Sequence, residues 1–443
     1  MVTSFIVFIF YIIFLFFSKE RAYYYIYNIG VLLFGVFLCT KVEPSSISFV
    51  YHVIAIGMLL PIIPYLKKYL PFFVASIFVL FAYILIKFIG WHIDIIRMFM
   101  DLRISIFAVC LCLAMIEDIR RGRLNMRLLV KGLYILVLLQ LVLAVFQYLF
   151  PSTGNFFVVV NADSGMDAAD KAMKFGMNLL TGTLMTPSAL AGFLDVLMFV
   201  LLVYELENRS MTFRKAIFLL MAVGIAFLTG IRTPFIFFVL FSTIYLFSYK
   251  RKLFFSFLPA FIVLSLVVVT TATVSQIGAV GRMLEGFTQM SSGMEGLEET
   301  TLGLSFLMIP YFIDNPLFGV SLGAGGYNII GLYTLEDMSI TDVYLIYILC
   351  EYGLIGLFFF LYPFFRINRL SSKAIHSSLI LVKQSTVLLF VAYGVCLAIV
   401  DKGIFNYLTI VLLVTGIVLF SYNTRDLTDA PQKSISYLNK SKK

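Results

Sequence analysis

Two arginines and one aspartate are the residues of this chain best suited to chemistry. Arg232 stands in LTGIRTPF, between two long apolar runs. A guanidinium at such a place can grip a phosphate or diphosphate through two parallel hydrogen bonds. It can equally snorkel toward lipid headgroups. Gly230 and Pro234 flank it, and broken backbone between apolar runs usually lines a polar cavity, which favours the functional reading. Arg282 lies among acids in a long polar loop with no local partner. Asp342 opens the apolar run TDVYLIYILCEYGLIG. It either caps its helix together with Thr341, or binds a hydroxyl and positions an arginine.

Other groups have simpler readings. Arg97 and Arg103 lie near Asp94 and Asp101, and Asp94–Arg97 is an i, i+3 pair on a helix, so a local ion pair accounts for them. Glu336 and Asp337 are either a base or metal-ligand pair or simply solvated, and the second is commoner. Asp195 sits inside the apolar run SALAGFLDVLMF and must face a bundle interior, where a structural hydrogen bond is expected. Asp401 and Lys402 form a turn tip and pair with each other. The glycines of GVSLGAGGYN allow close backbone approach. No Gly-Lys-Ser/Thr follows them, so this is no P-loop; a flexible turn is the expected use.

The elements that position these residues are membrane helices. The chain has 443 residues, is 61% hydrophobic and only 13% charged, with mean hydropathy +1.00. That balance predicts an all-α, polytopic integral membrane protein. Thirteen candidate spans are readable, at about 2–17, 23–39, 48–66, 70–87, 104–116, 127–150, 183–204, 214–231, 233–249, 253–273, 341–365, 378–400 and 403–421. The fifth is short, so 12 to 13 crossings are expected. The first run reads as a retained helix rather than a cleaved signal.

Lys and Arg set the orientation. Nine of the 33 basic residues fall on one set of loops and 24 on the other, including Arg120, Arg121, Arg123, Lys250, Arg251, Lys252 and the tail from Arg425. The basic side is expected to be cytoplasmic, with the C-terminus inside. Its short loops read as topology signals and no more. The expected division is 1–150, N-terminal helices; 151–182, a first long outer loop; 183–273, helices carrying the Arg232 element; 274–340, the large outer loop; 341–421, C-terminal helices; 422–443, a cytoplasmic tail. A helix lying at the membrane surface is expected over Leu302–Phe312.

Some classes are disfavoured. The net charge of +9 reflects the positive-inside bias, so no nucleic-acid partner is expected. The five cysteines, Cys39, Cys110, Cys112, Cys350 and Cys396, lie in apolar runs, which suits neither a disulfide framework nor a metal site. Three scattered histidines give no metal centre.

Four stretches together resemble the O-antigen polymerase and ligase superfamily of bacterial envelope glycosyltransferases. They are NLLTGTLMTPSALAGFL (Asn178–Leu194), LTGIRTPF, DNPLFGVSLGAGGYN (Asp314–Asn328) and TDVYLIYILCEYGLIGL, in the family's order and with the large loop in its place. The resemblance implies a GT-C-like fold with a large outer loop, in the bacterial inner membrane with its active site on the periplasmic face. It implies an inverting, metal-independent transferase that needs no cofactor and uses an undecaprenyl-diphosphate-linked glycan. An acceptor hydroxyl attacks the anomeric carbon and lipid diphosphate leaves, stabilised by fixed arginines and backbone N–H groups. On that basis Arg232 and Arg282 hold the diphosphate and Asp342 orients the acceptor. Arg97, Thr341, Gly323, Gly325, Tyr327 and Asn328 would contact substrate. Membrane lipid and a chain-length regulator protein are the partners implied.

The ligase branch typically carries a His-Asn pair where this chain has Thr341 and Asp342. That departure favours the polymerase, which joins repeat units into O-antigen or capsular polysaccharide. Two alternatives stand beside it: the ligase, with lipid A core as acceptor, and a flippase or other transporter of lipid-linked oligosaccharide. Against the transporter, no repeated halves are readable, and charge gathers in one outer loop rather than along mid-membrane helices.

Overall fold

The computed structural model of the chain describes residues 20–42, 59–90, 108–119, 121–150, 180–184, 187–229, 231–256, 309–319, 344–373, 384–398 and 411–418, with Ile9 and Gly57. All regular structure among them is helical. In chain order the helices are α1 (Arg21–Val42), a 3-10 turn (Leu60–Tyr65), α2 (Leu66–Gly90), α3 (108–119), α4 (Met126–Leu149), α5 (Pro187–Glu207), α6 (Phe213–Leu228), α7 (Arg232–Tyr249), α8 (Ile309–Asp314), α9 (Tyr344–Lys373), α10 (Gln384–Ala398) and α11 (411–418).

Local chemistry sets several boundaries. Asn125 caps α4, its side chain accepting from Leu128 N at 3.2 Å, and Thr212 caps α6, accepting from Lys215 N at 3.4 Å. Pro187 opens α5, where a missing N–H costs no intrahelical bond. The expected start of that span at 183 therefore moves to 187. The α3 helix ends in a Schellman turn: Arg123 N donates to Asp118 O at 2.7 Å and Gly122 N to Ile119 O at 2.8 Å, with Gly122 at φ 64°.

The short fifth candidate span turns out to be central. Every residue of α3 is buried. α5 is enclosed almost all round, with Phe193, Leu194, Val196, Leu197, Met198 and Phe199 each fully inaccessible. A helix apolar on every face belongs inside a bundle. Around these two, α5 packs against α6 and α7, α1 against α4, α9 against α10, and α7 against α10. α11 approaches α5 and α10 closely at Gly416, where an added Cβ would meet Val200 and Phe390 at 2.7 Å.

The outward faces are apolar as well. Ile77, Phe78 and Phe81 on α2, Leu138, Val142 and Phe146 on α4, and Leu220 and Met221 on α6 are all exposed. Two of the helices, Met126–Leu149 and Pro187–Glu207, are long and apolar enough to cross a membrane.

Candidate functional site

The bundle has two chemically different ends, and hydrogen bonds define both. The first holds four acids. Asp118 is buried at the end of α3, accepting from Tyr25 Oη at 2.5 Å and from Tyr65 Oη, with Arg21 at 3.8 Å. Its neighbour Glu117, also buried, accepts from Tyr69 Oη at 2.7 Å and pairs with Lys68 and, at 3.9 Å, with Arg366. Arg121 lies over the Tyr65 ring at 4.7 Å. Glu205, buried at the end of α5, pairs with Lys215 at 2.6 Å and accepts from Ser210 Oγ at 2.6 Å and Tyr134 Oη at 3.1 Å. Glu207 takes Tyr245 Oη and Lys250, the latter at 3.3 Å. The basic loops at this end are thus more than orientation signals. Lys68, Lys215, Lys250 and Arg366 neutralise carboxylates that tie seven helices together, α2 to α7 and α9. Sequence reading passed over Glu117 and Glu205 because both abut polar loops.

The opposite end carries parts of all four stretches singled out in the sequence. Thr181-Gly182-Thr183 is folded against α4, and its anchors are two buried glutamines that the sequence reading missed. Gln147 Oε1 accepts from Thr181 N at 2.9 Å and Gly182 N at 3.0 Å, while its Nε2 donates to Thr181 Oγ1 and to Gly182 O, both at 3.2 Å. Gln140 Oε1 accepts from Thr183 N at 3.0 Å and its Nε2 donates to Thr183 Oγ1 at 2.7 Å. Gly182 adopts φ 56° with no room for a side chain beside Gln140. The usable signal was two glutamines seven positions apart on one face of an apolar helix.

The Arg232 element is a tight break between α6 and α7. Thr229 Oγ1 donates to Ala226 O at 2.6 Å and accepts from Ile231 N at 3.3 Å. Ile231 is extended and offers no capping side chain, so α7 begins at Arg232 with its first N–H groups uncapped by that residue. Pro234 sits in the first turn of α7, where a proline fits, so the break lies at Thr229–Ile231 rather than at Pro234. A helix N-terminus beside an arginine is a seat for an anion.

The third feature joins two stretches whose hydrogen-bonded residues are 38 positions apart in sequence. α9 is broken at Gly353, which has φ 64° and ψ −166°. The break frees the N–H groups that follow, and the loop after α8 satisfies them. Leu354 N donates to Pro316 O at 2.9 Å and Ile355 N to Leu317 O at 3.2 Å, while Gly319 N closes the loop on Asn315 O at 2.7 Å. A Cβ at position 353 would collide with the Leu317 carbonyl and lie 2.7 Å from Gly319 N. The Asn-Pro-Leu-x-Gly stretch and the Tyr-Gly-Leu-Ile-Gly stretch are therefore one unit, a strap seated in a helix break. Because Arg366 of α9 reaches Glu117, the Gly353 break belongs to the end away from the acids.

Between the ends, an apolar groove of about 380 Å³ runs along α4 and α6, lined by Leu141, Val145, Met221, Gly224, Ile225, Phe227 and Leu228. Deep in the bundle Asp195 is fully buried, and neither carboxylate oxygen has a hydrogen-bond partner among the described residues. The structural hydrogen bond expected of it is not made among the described residues.

Of the candidate residues, Arg232 is placed by its backbone. Arg97, Arg282, Thr341, Asp342, Gly323, Gly325, Tyr327 and Asn328 lie outside the described residues, as do Glu336, Asp337, Asp401 and Lys402. No protein-family model matches the chain, and no curated protein matches it.

Proposed function

We propose that this chain is a polytopic inner-membrane glycosyltransferase of GT-C-like architecture, with 12 to 13 crossings, that polymerises undecaprenyl-diphosphate-linked repeat units on the periplasmic face. The broad apolar faces of α2, α4, α6 and α7 support the membrane reading, since exposed apolar surface on that scale is not tolerated in water. The observation that carries the functional reading is the unit at the end away from Glu117 and Glu205. A strap of irregular backbone is seated in the break of α9, and a second break at Thr229–Ile231 presents Arg232 at the start of α7. Non-helical backbone at membrane depth occurs where it lines a polar site.

In this mechanism Arg232 and the α7 N-terminus take the diphosphate, and Arg282 joins from the large loop. Asp342 orients the acceptor hydroxyl. That hydroxyl forms the new glycosidic bond at the anomeric carbon as the bond to the diphosphate oxygen breaks. Leaving-group charge passes onto the arginines, and the hydroxyl proton passes to a base, for which Asp342 is the candidate.

The test is deletion of the gene in its host, with electrophoresis of surface polysaccharide and complementation by wild type and by Arg232→Ala. The polymerase reading expects core capped by a single repeat unit without a ladder, restored by wild type and not by Arg232→Ala. Loss of even the single cap, with lipid-linked polymer accumulating, assigns the ligase instead. A second reading gains from Asp195: a buried carboxylate between mid-bundle helices is what a transporter of lipid-linked oligosaccharide would carry. Repeat units trapped on the cytoplasmic face of the deletion strain would establish it.

A further inference from the structure

Three neighbouring helices carry orphaned polar groups in the bundle interior: Asp195 of α5, Ser242 of α7 and Tyr393 of α10. All three are buried, and among the described residues neither oxygen of Asp195, nor Ser242 Oγ, nor Tyr393 Oη has a hydrogen-bond partner. Ring contacts set Tyr393 in the seam between the other two helices. It packs edge-on against Phe199 at 4.8 Å, and Phe199 lies one turn beyond Asp195 on the same face of α5. It also packs against Phe241 of α7 at 5.0 Å, one position before Ser242.

Depth agrees with this. Asp195 is about 12 Å along α5 from Pro187, and Ser242 about 15 Å along α7 from Arg232, at the usual helical rise. Both helices start at the same end of the bundle, because Glu205 and Glu207 at the far end of α5 engage the Lys250 end of α7 and the loop before α6. The cluster is therefore near mid-bundle, far from either set of loops.

A carboxylate there needs a positive partner. An unpaired ion in an apolar interior costs several kcal/mol even after relaxation. No lysine or arginine among the described residues is within ion-pair distance of Asp195. A single orphan could be a packing accident. Three, from separate helices, supply what a small cation uses: one charged carboxylate with two oxygens, and two neutral hydroxyl oxygens.

We propose that Asp195, Ser242 and Tyr393 form a binding site for a sodium ion in the middle of the helix bundle. The site is separate from Arg232 and does not depend on which glycan reaction the protein performs. The cation neutralises Asp195 and bridges α5, α7 and α10. Occupancy therefore stiffens the contact between the α7 helix that opens at Arg232 and its two neighbours.

The experiment uses the purified full-length protein in detergent. Sodium chloride is titrated against choline chloride at constant ionic strength, reading thermal stability and equilibrium binding of radioactive sodium. The site predicts saturable binding of one sodium per chain with a matching rise in stability. Binding is lost in Asp195→Asn and weakened about 10- to 100-fold in Ser242→Ala and Tyr393→Phe, the worth of a hydrogen-bond-scale ligand to a charge. Wild-type protein that binds no sodium overturns the proposal, and a carboxylic-acid C=O stretch at neutral pH that disappears in Asp195→Asn would then show Asp195 held neutral by its own proton. Because the wild-type measurements decide it alone, poor folding of a variant does not shield it.

Discussion

At the scale of single residues, Gly353 is the position where sequence and geometry are least negotiable. Its φ of 64° is in the region that side chains resist, and the Leu317 carbonyl occupies the place of a Cβ. Gly353→Ala is expected to destabilise the strap and its helix break by about 2–4 kcal/mol, from left-handed backbone plus overlap. In cells this should reduce the polysaccharide ladder while a neighbouring exposed change, Leu354→Ala, leaves it intact. An unchanged melting temperature for purified Gly353→Ala would show that the strap is not seated there. Part of this was legible: the Asn-Pro-Leu-x-Gly and Glu-Tyr-Gly-Leu-Ile-Gly stretches were singled out from the sequence. Their union was not, because backbone-to-backbone hydrogen bonds leave no mark on side-chain identity. Asp195 shows the opposite failure. Its burial followed from its apolar surroundings, but a bonded partner was inferred from base expectation rather than from any nearby residue.

At the scale of elements, the helices were readable and their ends less so. Hydropathy locates α4, α5 and α7 within a few residues of their observed bounds, because an apolar run and its polar flanks are properties of the segment alone. What fastens segments to one another is not such a property. Gln147 makes four hydrogen bonds to the Thr181–Gly182 turn, all buried. Gln147→Leu keeps the helix but strips two backbone N–H groups of their acceptor, at about 1–3 kcal/mol each. Thermal denaturation of the purified variant should show that loss, and Gln147→Glu should fare better than leucine, since it keeps the acceptor. Equal melting of wild type and Gln147→Leu would mean the turn finds other partners. The acid end is fastened differently. Glu117→Ala removes the common partner of Lys68, Tyr69 and Arg366, and a broken buried ion pair costs about 3–5 kcal/mol. Combining it with Lys68→Met should recover part of the loss, because the stranded charge goes too. Full additivity of the two changes would place Lys68 in solvent rather than on Glu117.

At the scale of the whole molecule, the two ends differ in chemistry, and on the proposed membrane reading that difference predicts an orientation. The end bearing Glu117, Asp118, Glu205 and Glu207 gathers the basic loops, with Arg121, Arg251 and Lys252 left exposed beyond those engaged by acids. Lysine and arginine resist transfer across a bilayer, so on the proposed membrane reading this end is expected in the cytoplasm. Burying four acids there does not offset the bias, because acidic residues contribute little to orientation while each basic residue held on one remains at that end. On the proposed reading the opposite end, with Thr181–Thr183, Arg232 and the Gly353 strap, is the one expected to face the periplasm. This predicts labelling from one side only. In a cysteine-free background, Ile313→Cys places a thiol at an exposed position of α8, and Arg251→Cys places one at the exposed start of the turn after α7. A membrane-impermeant maleimide should modify Ile313→Cys in intact spheroplasts and spare Arg251→Cys, with the pattern reversed in inverted vesicles. Labelling of Arg251→Cys from outside would invert the molecule. It would put Arg232 and the strap in the cytoplasm, where chain polymerisation on exported lipid carriers could not occur, and would leave the cytoplasmic loading step of a transporter as the reaction to test.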